Sequence, residues 1–114
     1  MTISAEDFAT IALSFPEAVQ AAHMGQTDFR VAKKIFATLN VDAGLGTLKL
    51  SLEQQQLLIA AHDAVFFAEP NSWGARGWTK LRLDLATAEI LRPAMRMAFV
   101  TVAPKRLSAS VSGG

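Results

Sequence analysis

Six basic side chains fall into two short clusters whose chemistry suits phosphate: Arg30, Lys33 and Lys34 in one turn, and Arg76, Lys80 and Arg82 around a tryptophan-containing loop. Lysine and arginine on outward strand faces and loops neutralise backbone phosphates, which supply most of the affinity of nucleic-acid binding. Lys49 is a weaker candidate. The competing reading is that these are ordinary solvated charges on an exposed sheet face. Trp73 and Trp78 flank the segment Gly74-Ala75-Arg76-Gly77. Exposed indoles there could stack bases or cap a pocket. Buried, they would lock the loop onto the sheet, the expectation for Trp78. The Gly-Ala-Arg-Gly run leads into a strand instead of joining two helices, which argues against a KH-type nucleic-acid clamp. His23, beside Met24 and Gly25, is either structural or a pocket-lining group, so His23, Trp73 and Trp78 form a second candidate site.

Other chemistries find little support. The chain has no cysteine, which excludes a disulfide framework, thiolate metal sites and a cysteine nucleophile. The two histidines, His23 and His62, are distant in sequence and have few carboxylates near them, so they do not read as metal ligands. His62-Asp63 reads as a dipole-and-capping pair at a helix end. No Ser-His-Asp pattern, phosphate-binding P-loop or dinucleotide fingerprint occurs. The expectation is therefore no catalytic residue, no cofactor and no metal.

The 114 residues, 51% hydrophobic, suffice for one domain with one core. The net charge of +1 is unevenly spread. Residues 1–69 carry four basic and eight acidic side chains, net −4; residues 70–114 carry seven basic and two acidic, net +5. Folding can mix the two halves or leave a local positive field. With no basic-then-apolar leader and no apolar run long enough to span a bilayer, the expectation is a cytoplasmic protein with no membrane role, a monomer or weak homodimer.

The elements that must hold these residues can be read in order. Ser4-Ala5-Glu6-Asp7 opens a helix with Phe8, Ile11, Ala12 and Phe15 on one face, an Ile3–Phe8 hydrophobic staple and a stop at Pro16. Residues 18–24 suggest a short strand, Gly25-Gln26-Thr27-Asp28 a turn, and Phe29-Arg30-Val31 another extended piece. Residues 35–41 form a strand with Ile35, Ala37, Leu39 and Val41 on one face and Phe36, Thr38 and Asn40 on the other. Residues 42–46 make a hairpin loop with two glycines, and 47–50 resume a strand. Ser51-Leu52-Glu53-Gln54 caps a second helix, to about His62, expected to bury Leu52, Leu58, Ile59 and Ala61. Residues 64–68 form a buried strand, 69–77 a loop, and 78–85 a strand with Leu81, Leu83 and Leu85 inward and Lys80, Arg82 and Asp84 outward. Thr87 caps a last helix, which Pro93 either kinks or divides and Pro104 ends. Residues 1–107 then make one domain and 108–114 a frayed, flexible tail. The fold class is α+β, an antiparallel sheet with helices packed on one face.

Two stretches, His23-Met24-Gly25 with Asp28-Phe29-Arg30-Val31-Ala32-Lys33-Lys34-Ile35-Phe36-Ala37-Thr38-Leu39, and Ser72-Trp73-Gly74-Ala75-Arg76-Gly77-Trp78-Thr79 leading into Leu81-Arg82-Leu83, resemble the MmcQ/YjbR family of small bacterial proteins. Leu48-Lys49-Leu50 lies between them, and the resemblance spans roughly residues 5–107. It departs at Lys33-Lys34, where a glycine is expected before the lysine. The resemblance implies a twisted sheet like that of the bacterial frataxin CyaY and a "double-wing" arrangement, by which members are described as DNA-binding. It supplies no agreed catalytic residues. Frataxin-type iron binding does not carry over, because the first helix clusters only Glu6 and Asp7.

The leading expectation is a non-enzymatic DNA-binding protein that grips phosphates through Arg30, Lys33, Lys34, Arg76, Lys80 and Arg82. The alternative is an adaptor that binds a protein or small ligand through the Trp73–Trp78 loop, with no nucleic-acid role. A contiguous positive strip favours the first reading, and a neutral concave pocket near Trp73 and His23 the second.

Overall fold

Both serine caps form. In the computed structural model, which describes residues 1–23 and 26–112, the Ser4 hydroxyl accepts from the Asp7 amide at 3.0 Å and the Asp7 carboxylate accepts from the Ser4 amide at 2.9 Å. Helix α1 follows as Ala5–Leu13. Ser51 and Gln54 make the same reciprocal pair at 3.1 and 2.9 Å and start α2, Leu52–Ala61. Each such cap contributes about 1 kcal/mol to helix stability.

Six strands make one sheet: β1 (Val19–His23), β2 (Gln26–Val31), β3 (Lys34–Asn40), β4 (Leu45–Lys49), β5 (Phe66–Ala68) and β6 (Trp78–Arg82). Their order is β1-β2-β3-β4-β6-β5, and every neighbouring pair is antiparallel. Helix α3 (Ala88–Val102) lies against β3 and β4 beside α1, and α4 (Lys105–Ser112) packs on α3. The core between helices and sheet holds Phe8, Ile11 and Ala12 of α1, Leu91, Met95 and Phe99 of α3, and Phe29, Phe36, Leu39, Leu48 and Leu81 of the sheet. Ile3 and Phe8 both join this core, as a staple requires.

Several elements differ from expectation for identifiable reasons. Gln26–Asp28, expected as a turn, are strand residues paired with β1 and β3. In β3 the expected alternation breaks at a bulge: Phe29 opposes Ala37 while Arg30 opposes Ile35, which leaves Phe36 as the extra residue. Phe36 and Ala37 therefore both enter the core, and Ile35 turns to the opposite face. Of the two loop glycines, only Gly44 occupies a turn, with φ +67°. Gly46 lies within β4, where a Cβ would run into the Phe8 ring.

On α2, Leu52 is exposed and Gln55 is buried in its place, and Ala61 is exposed. The strand expected to reach residue 85 stops at Arg82, and a 3₁₀ turn over Leu83–Leu85 swings Leu85 into solvent. Residues 71–76 of the expected loop also form a 3₁₀ turn. Pro93 lies inside one continuous helix, five residues after Ala88. It has no N–H for the Glu89 carbonyl, but both residues are on the solvent side, where water can serve that group. The segment expected to fray from Ser108 is helical through Ser112: Leu107 is buried and Val111 packs against the core. Arg106 fastens α4 to the approach to β1 by two hydrogen bonds to the Glu17 carboxylate, at 2.8 and 3.1 Å. Those bonds hold the Glu17 carboxyl below its ordinary pKa.

A candidate ligand cleft on the open face of the sheet

Strand alternation sends one set of side chains into the helical core and the other to the opposite face. On that open face Asp28, Thr38, Thr47 and Lys80 stand side by side across β2, β3, β4 and β6, each the register partner of the next. Three strand spacings give this row a length of about 14 Å. Gln26, Arg30, Ile35, Asn40 and Trp78 flank it, and Glu69 and Trp73, from the segment between β5 and β6, complete the rim. The space enclosed is a cleft of about 590 Å³.

The charges in the cleft are arranged in pairs. Arg30 donates to the Asp28 carboxylate at 2.9 Å, and Asp28 has a side chain only 7% exposed. Lys80 lies 3.4 Å from the Glu69 carboxylate and donates to the Thr47 hydroxyl at 3.3 Å. Among the described residues, two cations and two carboxylates line the cleft, and their formal charges cancel. The floor is also internally bonded: the Gln26 amide donates to the Thr38 hydroxyl at 3.0 Å. The Arg30 Nε is buried without an acceptor, so its guanidinium fork is only partly used.

The aromatic rim is held by cations and by close backbone packing. Trp73, half exposed at 51%, meets Trp78 edge to face with ring centroids 6.4 Å apart. Arg76 lies over Trp73 at 5.4 Å, Lys49 over Trp78 at 5.7 Å, and Arg82 over Phe67 at 4.3 Å. Lys49 also donates to the Arg76 carbonyl at 2.6 Å. Beneath the rim, the two N–H groups of the buried Gln55 side chain are shared among the carbonyls of Gly74 and Trp78, at 3.1 and 3.2 Å, and the Thr79 hydroxyl, at 3.1 Å. The Thr79 hydroxyl in turn donates to the Gly77 carbonyl at 3.0 Å. Replacing Gln55 with leucine removes this shared donor, although the Gly74 and Trp78 carbonyls keep the Gly77 and Glu69 amides as partners. We expect Gln55→Leu to cost about 1–2 kcal/mol in chemical denaturation and to shift the tryptophan emission maximum. An unchanged midpoint and an unchanged spectrum would mean that Gln55 does not hold the rim.

The six basic residues singled out from sequence divide among different places. Arg30 and Lys80 line the cleft, each paired with a carboxylate. Arg82 shares the open face with Lys80 but stacks on Phe67 and donates to the Ala64 carbonyl at 3.2 Å. Arg76 covers Trp73. Lys33 and Lys34 sit in the β2–β3 hairpin, outside the cleft lining. Its two-residue loop, Ala32-Lys33, has φ of +51° and +70°, the left-handed geometry such hairpins demand and glycine best supplies. Trp73 and Trp78 do come together as a rim. The His23 side chain, expected beside them, lies outside the described residues; its backbone pairs with Gln26. His62 ends α2 with its ring 6.1 Å from Phe66. Sequence reasoning missed Asp28, Glu69, Thr47, Gln26 and Gln55. The i, i+2 spacing of Asp28 and Arg30 was a usable signal, but only once residues 26–31 are known to be a strand.

A bulged antiparallel sheet, with helices on one face and a polar, aromatic-rimmed cleft on the other, defines a small α+β protein of the class the sequence motifs suggested. The YjbR family model matches residues 13–100, and the chain belongs to the YjbR family. The crystal structure of Deinococcus radiodurans protein DR2400, a DUF419-domain protein, superposes with a TM-score of 0.71 at 17% identity. The match covers 97% of this chain and 81% of that one, a likeness of fold. No curated protein matches the chain. Among the described residues, no helix is long and apolar enough to cross a membrane.

Proposed function

We propose that this protein is a binding module whose open sheet face takes a small polar ligand in the cleft rimmed by Trp73 and Trp78. The observation that carries this reading is the internal neutralisation of the cleft. Arg30 and Lys80, the two basic groups best placed to hold a phosphate there, each already face a carboxylate. An incoming phosphate would have to compete with Asp28 and Glu69 and would meet their repulsion, whereas an uncharged polar ligand meets neither obstacle. The volume falls in the range of about 300–1,000 Å³ typical of small-molecule sites. Donors and acceptors already anchored to one another limit the ordering cost of binding.

The chain has two tryptophans and both lie at the rim, so intrinsic fluorescence reports on this cleft. The experiment is a titration of the intact chain, followed by fluorescence and by amide chemical shifts. The probes are neutral sugars, AMP, phenylalanine and a random-sequence 20-base-pair DNA duplex. The expected result is saturable binding of a neutral sugar or of phenylalanine, neither of which carries net charge, in preference to AMP, with shifts confined to the cleft residues. The reading fails if neither binds, and the DNA-binding alternative gains if the duplex alone binds, with an affinity that falls steeply as salt rises.

A further inference from the structure

We infer that the ligand class of this cleft is a neutral saccharide of two or three rings, an inference that rests on the binding-module reading above. Three features converge on it. The first is charge. With Arg30 tied to Asp28 and Lys80 to Glu69, an anion approaching either cation also meets its carboxylate, while a hydroxyl can add to both members of a pair. A carboxylate beside a guanidinium or ammonium offers an acceptor and a donor side by side, the complement of a vicinal diol, whose hydroxyls also both donate and accept.

The second feature is the spread of polar groups. Thr38 and Thr47 carry the hydrogen-bonding surface across the floor between the two ion pairs, over about 14 Å, and Gln26 and Asn40 extend it to one side. A purine or an aromatic amino acid concentrates its polar atoms on one edge or at one end and would leave most of that floor unpaired. A chain of pyranose rings carries hydroxyls along its whole length.

The third is the rim. Trp73 presents a half-exposed indole, with Arg76 over one face and Trp78 meeting it edge to face, so the surface it offers a ligand is the part those two leave uncovered. An apolar plate beside a polar floor suits a sugar ring, which has C–H groups on its faces and hydroxyls around its edge.

The test uses the intact chain with maltotriose, cellotriose and N,N′,N″-triacetylchitotriose as probes, each to about 10 mM, read by tryptophan fluorescence and saturation-transfer NMR. AMP and phenylalanine serve as ionic comparators. At least one trisaccharide is expected to bind with a millimolar or tighter constant and to outcompete both comparators. Trp73→Ala, at an exposed position, should weaken that binding at least tenfold. Thr38→Val, which keeps side-chain shape and removes one floor hydroxyl, should weaken it several-fold, and amide spectra of both variants should confirm an intact fold. If phenylalanine binds in the cleft and no trisaccharide does, the saccharide inference is overturned while the binding-module reading stands; if AMP alone binds there, the charge argument behind both is refuted. If none of the five binds, both are overturned. Sugar binding unaffected by Trp73→Ala would place the sugar elsewhere and also overturn the inference.

Discussion

Gly77→Ala should remove a large part of the stability of this fold. Gly77 has φ +100°, a conformation side-chain-bearing residues rarely adopt. Its position adds a steric conflict to that strain. A Cβ there would overlap the Leu50 carbonyl oxygen and lie 2.9 Å from the Leu50 carbonyl carbon, both of them backbone atoms with no rotamer to change. Relief requires the end of β4 to move away from the start of β6. That motion would break the Leu50 amide to Gly77 carbonyl hydrogen bond of 3.1 Å and disturb the Lys49–Trp78 pairing. Gly74, on the other side of Arg76, is confined in the same way against the Glu69 carbonyl. We expect Gly77→Ala to cost about 4 kcal/mol or more, a large part of the roughly 5–15 kcal/mol that holds a typical domain together. Gly44→Ala is the internal control. Gly44 also has positive φ, at +67°, but a Cβ there meets nothing within 4 Å, so only the conformational term of about 1–2 kcal/mol applies. Urea denaturation of both variants separates strain from collision. Equal costs at the two positions would show that the close approach at Gly77 does not govern stability.

Phe99→Ala should be nearly as damaging, through the core. The Phe99 ring stacks on Phe15 with centroids 5.0 Å apart and meets Phe36 edge-on at 5.5 Å, so one α3 side chain joins the turn after α1 to the β3 bulge. Phe99 is fully buried. Its removal forfeits the transfer energy of the ring and leaves a cavity that rigid neighbours cannot fill, a cost of about 3–5 kcal/mol. For a domain of this size, that lowers Tm by roughly 12–20 °C. Phe99→Leu, which retains most of the volume, should cost less than half as much. A melt in which the alanine and leucine variants coincide would contradict the packing described here. Neither variant touches the cleft, so ligand affinity in the surviving folded fraction should be unchanged.

Local chemistry explains why some of the fold was legible in the sequence. Both serine-initiated helices were readable because a capping box closes within four residues and needs nothing from the rest of the chain. The strand at Trp78–Arg82 was readable because Leu81 alternates with Lys80 and Arg82 at the period of a pleated strand. The bulge at Phe36 was not, because alternation assumes one residue opposite one, and the extra residue exists only when β2 is laid beside β3. Gln55 was missed for a related reason. On its helix it is one of three consecutive glutamines, and only the Trp73–Trp78 segment folding over it turns one amide into a buried anchor.

The candidate site divides along the same line. From the sequence alone, Trp73 and Trp78 with their intervening glycines stood out, as did the basic character of Arg30 and Lys80, since those are properties of residue type and near spacing. The acids that neutralise the two cations are of different kinds. Asp28 is two residues from Arg30 and faces the same way only because residues 26–31 are extended; Glu69 is eleven residues from Lys80 and reaches it because β5 pairs with β6. Whether six cations form a strip that attracts phosphate or a set of closed pairs depends on which carboxylates folding brings within about 4 Å of them. Residue type places the charges in the chain, and strand pairing across the sheet decides which of them the ligand meets already matched.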